Sequence, residues 1–258
     1  MKRVITFTYG VACYAIFFAT FLYAIAFIGN FGVARTLDTP VDTPFGLALA
    51  INFGLLALFV VQHSGMARPT FKRWWTKIVP EVIERSTYVL FSSLALILLF
   101  WQWRPLGGVI WDIQDPTGRI AMFAAYGFGW ALVLFASFLI NHFDLFGLRQ
   151  VYLNLRNKPY RDLPFGTPLL YRVVRHPLYV GWIFVVWASP LMTLAHLVFA
   201  IGCTGYILGA IQLEERNLIE ALGDDYREYR RNVPMLIPSV KRLFSRRPAN
   251  PGTSASTA

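Results

Sequence analysis

Cysteine is scarce in this chain: two in 258 residues, Cys13 and Cys203, each inside an apolar run. That leaves no basis for a disulfide framework or a cysteine-based zinc site, and both read as small buried hydrophobes. The four histidines, at 63, 142, 176 and 196, show no HxxxH or HxxE spacing, so no metal site is expected. There is no internal repeat and no Gly-rich dinucleotide fingerprint. Charge is sparse as well, at 15% of residues, and none of it gathers into a separate basic domain. Nucleic-acid binding is therefore not expected, despite a formal net charge of +10.

Apolar residues are what the chain has in excess, with 56% hydrophobic and 16% aromatic. That is too apolar for a soluble domain of this length. Val4 to Gly29 carries no charge. It is too long for a secretory signal and has no small-residue cleavage site, so it reads as a retained first span. Further runs cover Phe45 to Val61, Tyr88 to Trp103 and Ile120 to Ile140. Leu178 to Leu213 is 36 residues without an acid, lysine or arginine, broken near Ser189-Pro190 and His196. At about 20 residues per span it is a helical hairpin with a tight turn. The expected class is all-α: a polytopic membrane bundle of five to six helices, the last two short. One domain is expected over 1–244, with a disordered, Pro/Ser/Thr/Ala-rich tail at 245–258.

The basic residues set an orientation. With the N-terminus in the cytoplasm, the segments on that side hold Lys2 and Arg3, five basics from Arg68 to Arg85, six from Arg149 to Arg175 and eight from Arg216 to Arg247. The other side holds only Arg35, Arg104 and Arg119. By the positive-inside rule both termini are cytoplasmic, and the net charge reflects topology and contact with anionic lipid. Trp74, Trp75, Trp101 and Trp103 sit near span ends and read as interface anchors.

Three polar clusters fall on the cytoplasmic side: Asn141-His142-Phe143-Asp144, Arg175-His176 with Tyr171 and Tyr179, and Glu214-Glu215. Ionisable groups at the edge of hydrocarbon need a specific reason to be there. Pro177 can open a helix, which places Arg175 and His176 at its positive end, a ready carboxylate or phosphate site. Glu214 and Glu215 end the same hairpin and would meet a cation, an amine or a ribose. The bland alternative is that Arg175 simply pairs with one of these acids and marks the membrane boundary. His142 taken alone reads more readily as a boundary histidine than as a catalytic one. His63, at a span end, and His196, in the hairpin turn, read as structural.

The order Arg175-His176-Pro177-Leu178-Tyr179-Val180-Gly181, Glu214-Glu215-Arg216-Asn217-Leu218, then Gly223 to Tyr229 with Val233-Pro234, resembles the C-terminal core of the isoprenylcysteine carboxyl methyltransferase superfamily, over roughly residues 120–240. Asn141 to Gln150, Lys158-Pro159-Tyr160, Ile211 to Arg216 and Val233 to Pro238 resemble more narrowly its bacterial methanethiol S-methyltransferase branch. The resemblance implies an inner-membrane enzyme that uses S-adenosylmethionine and a small volatile thiol. It implies that Arg175, His176 and Tyr179 hold the methionyl end, that Glu214 and Glu215 take the ammonium or ribose hydroxyls, and that Tyr171 and Arg149 complete the wall.

Methyl transfer to a thiol is an in-line displacement that needs the thiolate, and a thiol pKa of about 8.5 or higher leaves little of it at neutral pH. His142, oriented by Asp144, is the candidate base. The competing view is that the sulfonium field suffices and His142 only shapes the pocket. A one-carbon thiol requires a small closed apolar pocket, for which Phe143, Phe146, Trp182 and Trp187 are wall candidates. The alternatives are a methyltransferase for a lipid-like thiol, carboxylate or amine, a nicotinamide-dependent membrane reductase, and a non-enzymatic membrane protein of denitrification-type operons. Nothing in the sequence specifies an oligomeric state.

Overall fold

The structure is a computed structural model and describes residues 1–40 and 42–239. The tail expected to be disordered, 245–258, and the expected domain end at 244 lie outside those residues. The chain runs through α1 (Lys2–Gly29), α2 (Phe45–Met66), α3 (Pro69–Trp75), α4 (Glu81–Gln102), β1 (Val109–Asp112), α5 (Pro116–Leu139), α6 (His142–Leu145), α7 (Leu148–Leu155), α8 (Pro177–Trp187), β2 (Leu191–Thr193), α9 (Leu194–Leu222) and α10 (Asp224–Asn232).

Five of these helices, α1, α2, α4, α5 and α9, are long and apolar enough to cross a membrane. The shortest has 22 residues, about 33 Å at 1.5 Å per residue, against a hydrocarbon core of about 30 Å. Their ends follow local chemistry. Asp115 caps α5 by accepting from the Gly118 N–H at 2.7 Å, with Pro116 in the first turn. Thr193 caps α9 by accepting from the His196 N–H at 3.1 Å. Glu81 and Glu84 begin α4, where acids suit the positive dipole end.

The hairpin differs from its expected form. Its arms are unequal: α8 has 11 residues and α9 has 29. At about 16 Å, α8 covers half a crossing. Beyond it the chain turns extended, and β2 pairs antiparallel with β1. That short ladder, with the Trp111 Nε1–H donating to Ser189 O at 3.0 Å, takes up backbone groups that a helix would otherwise satisfy. His196 is not in the turn. It lies in the first turn of α9 with its ring fully buried, hydrogen-bonded through Nε2 to Val186 O at 3.1 Å.

Packing places both arms against older parts of the bundle. α5 and α8 cross at Gly129 and Gly181, where an added Cβ on Gly129 would stand 2.9 Å from the Gly181 carbonyl oxygen. Small residues at that crossing let the two backbones touch. Trp130 and Trp182 meet edge to face above it, inside the main core with Phe27, Phe100 and Phe199. α1 packs on α4 and α7, and α2 on α4. All the motif residues of the sequence thus end up near one end of the bundle, the end that carries the basic loops.

Candidate functional site

Arg175 and His176 stand just before α8, and Glu215 lies two turns before the end of α9. Glu215 is 2% exposed. Its Oε1 accepts from Arg175 Nε at 2.7 Å and pairs with His176 Nε2 at 3.1 Å, while Oε2 meets Arg230 Nε at 3.1 Å. Arg175 also donates through Nη1 to the carbonyls of Arg230 and Val233 on and after α10. The backbone N–H groups of Arg175 and His176 reach Pro234 O and Met235 O at 2.8 and 3.2 Å. The boundary pairing anticipated as the bland alternative is therefore formed. It locks the start of α8, the end of α9 and the chain after α10 into one unit.

Glu214, next in line, behaves differently. Neighbours on a helix point about 100° apart, so one acid enters the lock and the other turns outward. Glu214 is exposed and accepts one hydrogen bond, from the Tyr179 hydroxyl at 3.0 Å. Tyr171 is half-buried. Its hydroxyl reaches Ala136 O at 3.4 Å, and its carbonyl accepts from Tyr229 at 2.6 Å. Burial, and then the Glu214 carboxylate, push the Tyr171 phenol up.

The His142–Asp144 pair does not form. Residues two apart on a helical turn face different sides. Asp144 instead accepts from Arg149 at 2.8 Å, from Tyr160 at 3.3 Å and from Gln150. Arg149 also covers the Tyr160 ring at 5.1 Å. Arg149 is thus committed to the loop after α7, away from the Glu215 lock. His142 is buried, with Nε2 hydrogen-bonded to the Tyr14 hydroxyl at 2.8 Å and Nδ1 to Ser137 Oγ at 2.9 Å. Its ring stacks on Phe138 at 4.4 Å. Burial lowers its pKa, so the neutral ring is the resting form.

Of the four wall candidates, Phe146 lies deepest among the polar groups, stacked on Phe17 at 3.9 Å and against His142 at 4.7 Å. Phe143 is half exposed. Trp182 and Trp187 belong to the main core. Trp187 stands 11 residues along from His176, about 16 Å away, and its indole N–H donates to Thr204 Oγ1 at 3.0 Å.

Residues outside the expected set complete this end. Tyr226 on α10 is 1% exposed, and its hydroxyl has no partner among the described residues. Burial pushes that phenol up to about 12, so it is a proton donor at neutral pH. Tyr226, Tyr229 and Phe165 form a nest of rings with centroids 5.6 to 5.9 Å apart. Their signal was present in the GxxYxxY spacing, which puts Tyr226 and Tyr229 on one helix face. Two open clefts, of about 550 and 560 Å³, lie elsewhere: beside Asp38 and Thr193 at the opposite end, and beside Tyr23 and Arg35 between α1 and α4.

Comparison with known proteins adds the lineage. Residues 53–231 match the family described as NnrU protein. The chain is 57% identical to a methanethiol S-methyltransferase of Mycobacterium tuberculosis, over 92% of this chain and 98% of that protein. It is 53% identical to a methanethiol S-methyltransferase of Crocosphaera subtropica, over 93% of this chain and 94% of that protein. More distantly it is 33% identical to nurim of Sus scrofa, over 69% of this chain and 70% of that protein. No solved structure matches. The motif residues thus sit, with their neighbours, in a chain that belongs to the NnrU family and, within it, to the methanethiol S-methyltransferases.

Proposed function

We propose that this chain transfers the methyl group of S-adenosylmethionine to methanethiol, giving dimethyl sulfide, at the cytoplasmic face of a bacterial inner membrane with both termini in the cytoplasm. The observation that carries the reading is the division of labour between Glu215, spent inside the lock, and its neighbours Glu214, which faces outward, and Tyr226, whose hydroxyl has no partner among the described residues. The names of the relatives across nearly the whole chain support the same chemistry. The lopsided distribution of basic residues supports the orientation.

The residues fit the donor. Glu214 offers an open carboxylate to an ammonium or to ribose hydroxyls. The unpartnered Tyr226 hydroxyl is a buried donor in want of an acceptor, the kind of group a bound polar ligand satisfies. Phe165, Tyr226 and Tyr229, packed edge to face, give an aromatic nest for an adenine, and Tyr171 borders it through Tyr229. Arg175 and His176, fixed by Glu215, present the positive start of α8 to a carboxylate. When bound, S-adenosylmethionine supplies a methyl group already activated by the sulfonium charge. The protein's work is then to position, to exclude water and to handle one proton.

Arg149 acts in this reading as a brace for the loop after α7, through Asp144 and Tyr160. His142 shapes the pocket wall. Asp144 is turned away from it, toward Arg149 and Tyr160. Phe146 and Phe143 border the thiol pocket.

The test is purified protein in detergent with both substrates, followed by headspace gas chromatography. Dimethyl sulfide is expected only when both are present, with at least a tenfold loss in Glu214→Ala. Binding of S-adenosylmethionine without dimethyl sulfide would move the search to larger thiols and lipids. No binding at all would overturn the reading.

A further inference from the structure

A second polar cluster lies within the bundle, centred on His63. Its Nδ1 is 3.0 Å from Ser92 Oγ, and both ring nitrogens are 3.0 Å from the Tyr88 hydroxyl. Phe59 stacks on the ring at 5.1 Å, and Tyr206 meets it edge-on at 6.4 Å. Ser64 donates to the Tyr206 hydroxyl at 3.2 Å. An imidazole inside a membrane span is costly, and such groups persist where they do work.

Its place in the fold is specific. His63 is one turn from the end of α2, so it lies about 5 Å inside the end that carries the Glu215 lock. From the open Glu214, two turns along α9 lead deeper to Tyr206, and the Tyr206 ring faces His63. Tyr88 also packs in one apolar cluster with Met66, Phe17 and Phe146. Small, soft and apolar on one side, with an imidazole on the other, that arrangement suits a one-carbon thiol.

We propose that His63 is the proton acceptor for the thiol, and that Tyr88, Ser92 and Tyr206 orient its ring toward the donor site. This rests on the methyltransferase reading above. The thiol S–H bond gives its proton to a neutral His63 nitrogen. A sulfur lone pair forms the new S–CH₃ bond as the sulfonium S–CH₃ bond breaks, its electron pair returning to the departing thioether. The single positive charge thus moves from sulfonium to imidazolium, and the site's net charge is unchanged. The charged groups facing the cluster are Arg85 and Glu84 on α4, Arg68 after α2 and Glu214 on α9.

The test compares His63→Ala and His63→Gln with wild type. Gln keeps hydrogen bonds to Tyr88 and Ser92 but takes no proton. Calorimetric affinity for S-adenosylmethionine should stay within about twofold, showing that the fold and donor site survive. Turnover of methanethiol at neutral pH should fall about 100-fold, in the range of general-base effects. Turnover of methaneselenol, which is already ionised at that pH, should fall less than about threefold. The methanethiol rate of both variants should climb with pH as thiolate forms in solution. Equal loss with thiol and selenol, or no loss with thiol, would overturn the role of His63 while leaving the methyltransferase standing. A wild type that neither binds the donor nor methylates either nucleophile would overturn both.

Discussion

Replacing two adjacent acids separately should have opposite effects. Glu215 is 2% exposed and meets three cations or potential cations, at 2.7, 3.1 and 3.1 Å. Removing one partner of a buried pair leaves the other charge unpaired in a poor solvent, at about 3–5 kcal/mol. The Arg175 side chain is 9% exposed, so that cost applies to it. Arg230 is 48% exposed, and its share is at most about 1 kcal/mol. Glu215→Ala should therefore lose about 3–5 kcal/mol, a large part of the 5–15 kcal/mol that holds most folded proteins. Glu214 is exposed and accepts one hydrogen bond, so Glu214→Ala should cost about 1 kcal/mol in stability. The same change should weaken S-adenosylmethionine binding at least tenfold. The assay is thermal unfolding in mild detergent, followed by tryptophan fluorescence, beside calorimetry of donor binding. At about 2–4 °C per kcal/mol, Glu215→Ala should lower the melting temperature by roughly 6 °C or more and Glu214→Ala by no more than about 4 °C. A stable Glu215→Ala, or a Glu214→Ala that binds the donor as wild type does, would refute the division between lock and ligand acid.

Tyr226→Phe removes a hydroxyl with no partner, so stability should change by less than about 0.5 kcal/mol while donor affinity falls about five- to tenfold in calorimetry. His142 has a depressed pKa in the fold, so the unfolded chain binds its proton first as pH falls below 6.5. The stability it contributes is present above that pH and lost as pH drops through its folded value; melting curves from pH 8 to 5 should show this slope in wild type and a flatter one in His142→Gln. Gly181→Ala would push a methyl group to 2.8 Å from the Gly129 carbonyl, and the resulting spread of α5 from α8 should cost about 1–3 kcal/mol by the same melting assay.

Much of this architecture is legible in the sequence because hydrocarbon imposes so few solutions. Uncharged runs gave four spans and a hairpin, and Gly223 marks the break between α9 and α10, where its φ is 61°. The unequal hairpin arms were hidden because an uncharged run has no internal landmark. The strand pair that completes the short arm is set by a partner, β1, about 80 residues away. Within the site, adjacency in sequence was a poor guide. Helical geometry separates His142 from Asp144 and turns Glu214 and Glu215 to different tasks. Tyr226 was visible in a motif, yet its unpartnered hydroxyl is a property of packing. His63 read as structural because its partners, Tyr88 and Ser92 on α4 and Tyr206 on α9, come from two other stretches of the chain and share no spacing with it.

The most direct measurement supplies S-adenosylmethionine carrying a trideuterated methyl group to the purified protein with unlabelled methanethiol, and reads the headspace product by mass spectrometry. The account predicts dimethyl sulfide with one intact CD₃ group, formed in proportion to the donor consumed. Dimethyl sulfide without the label, or label retained on the donor with no volatile product, would contradict it.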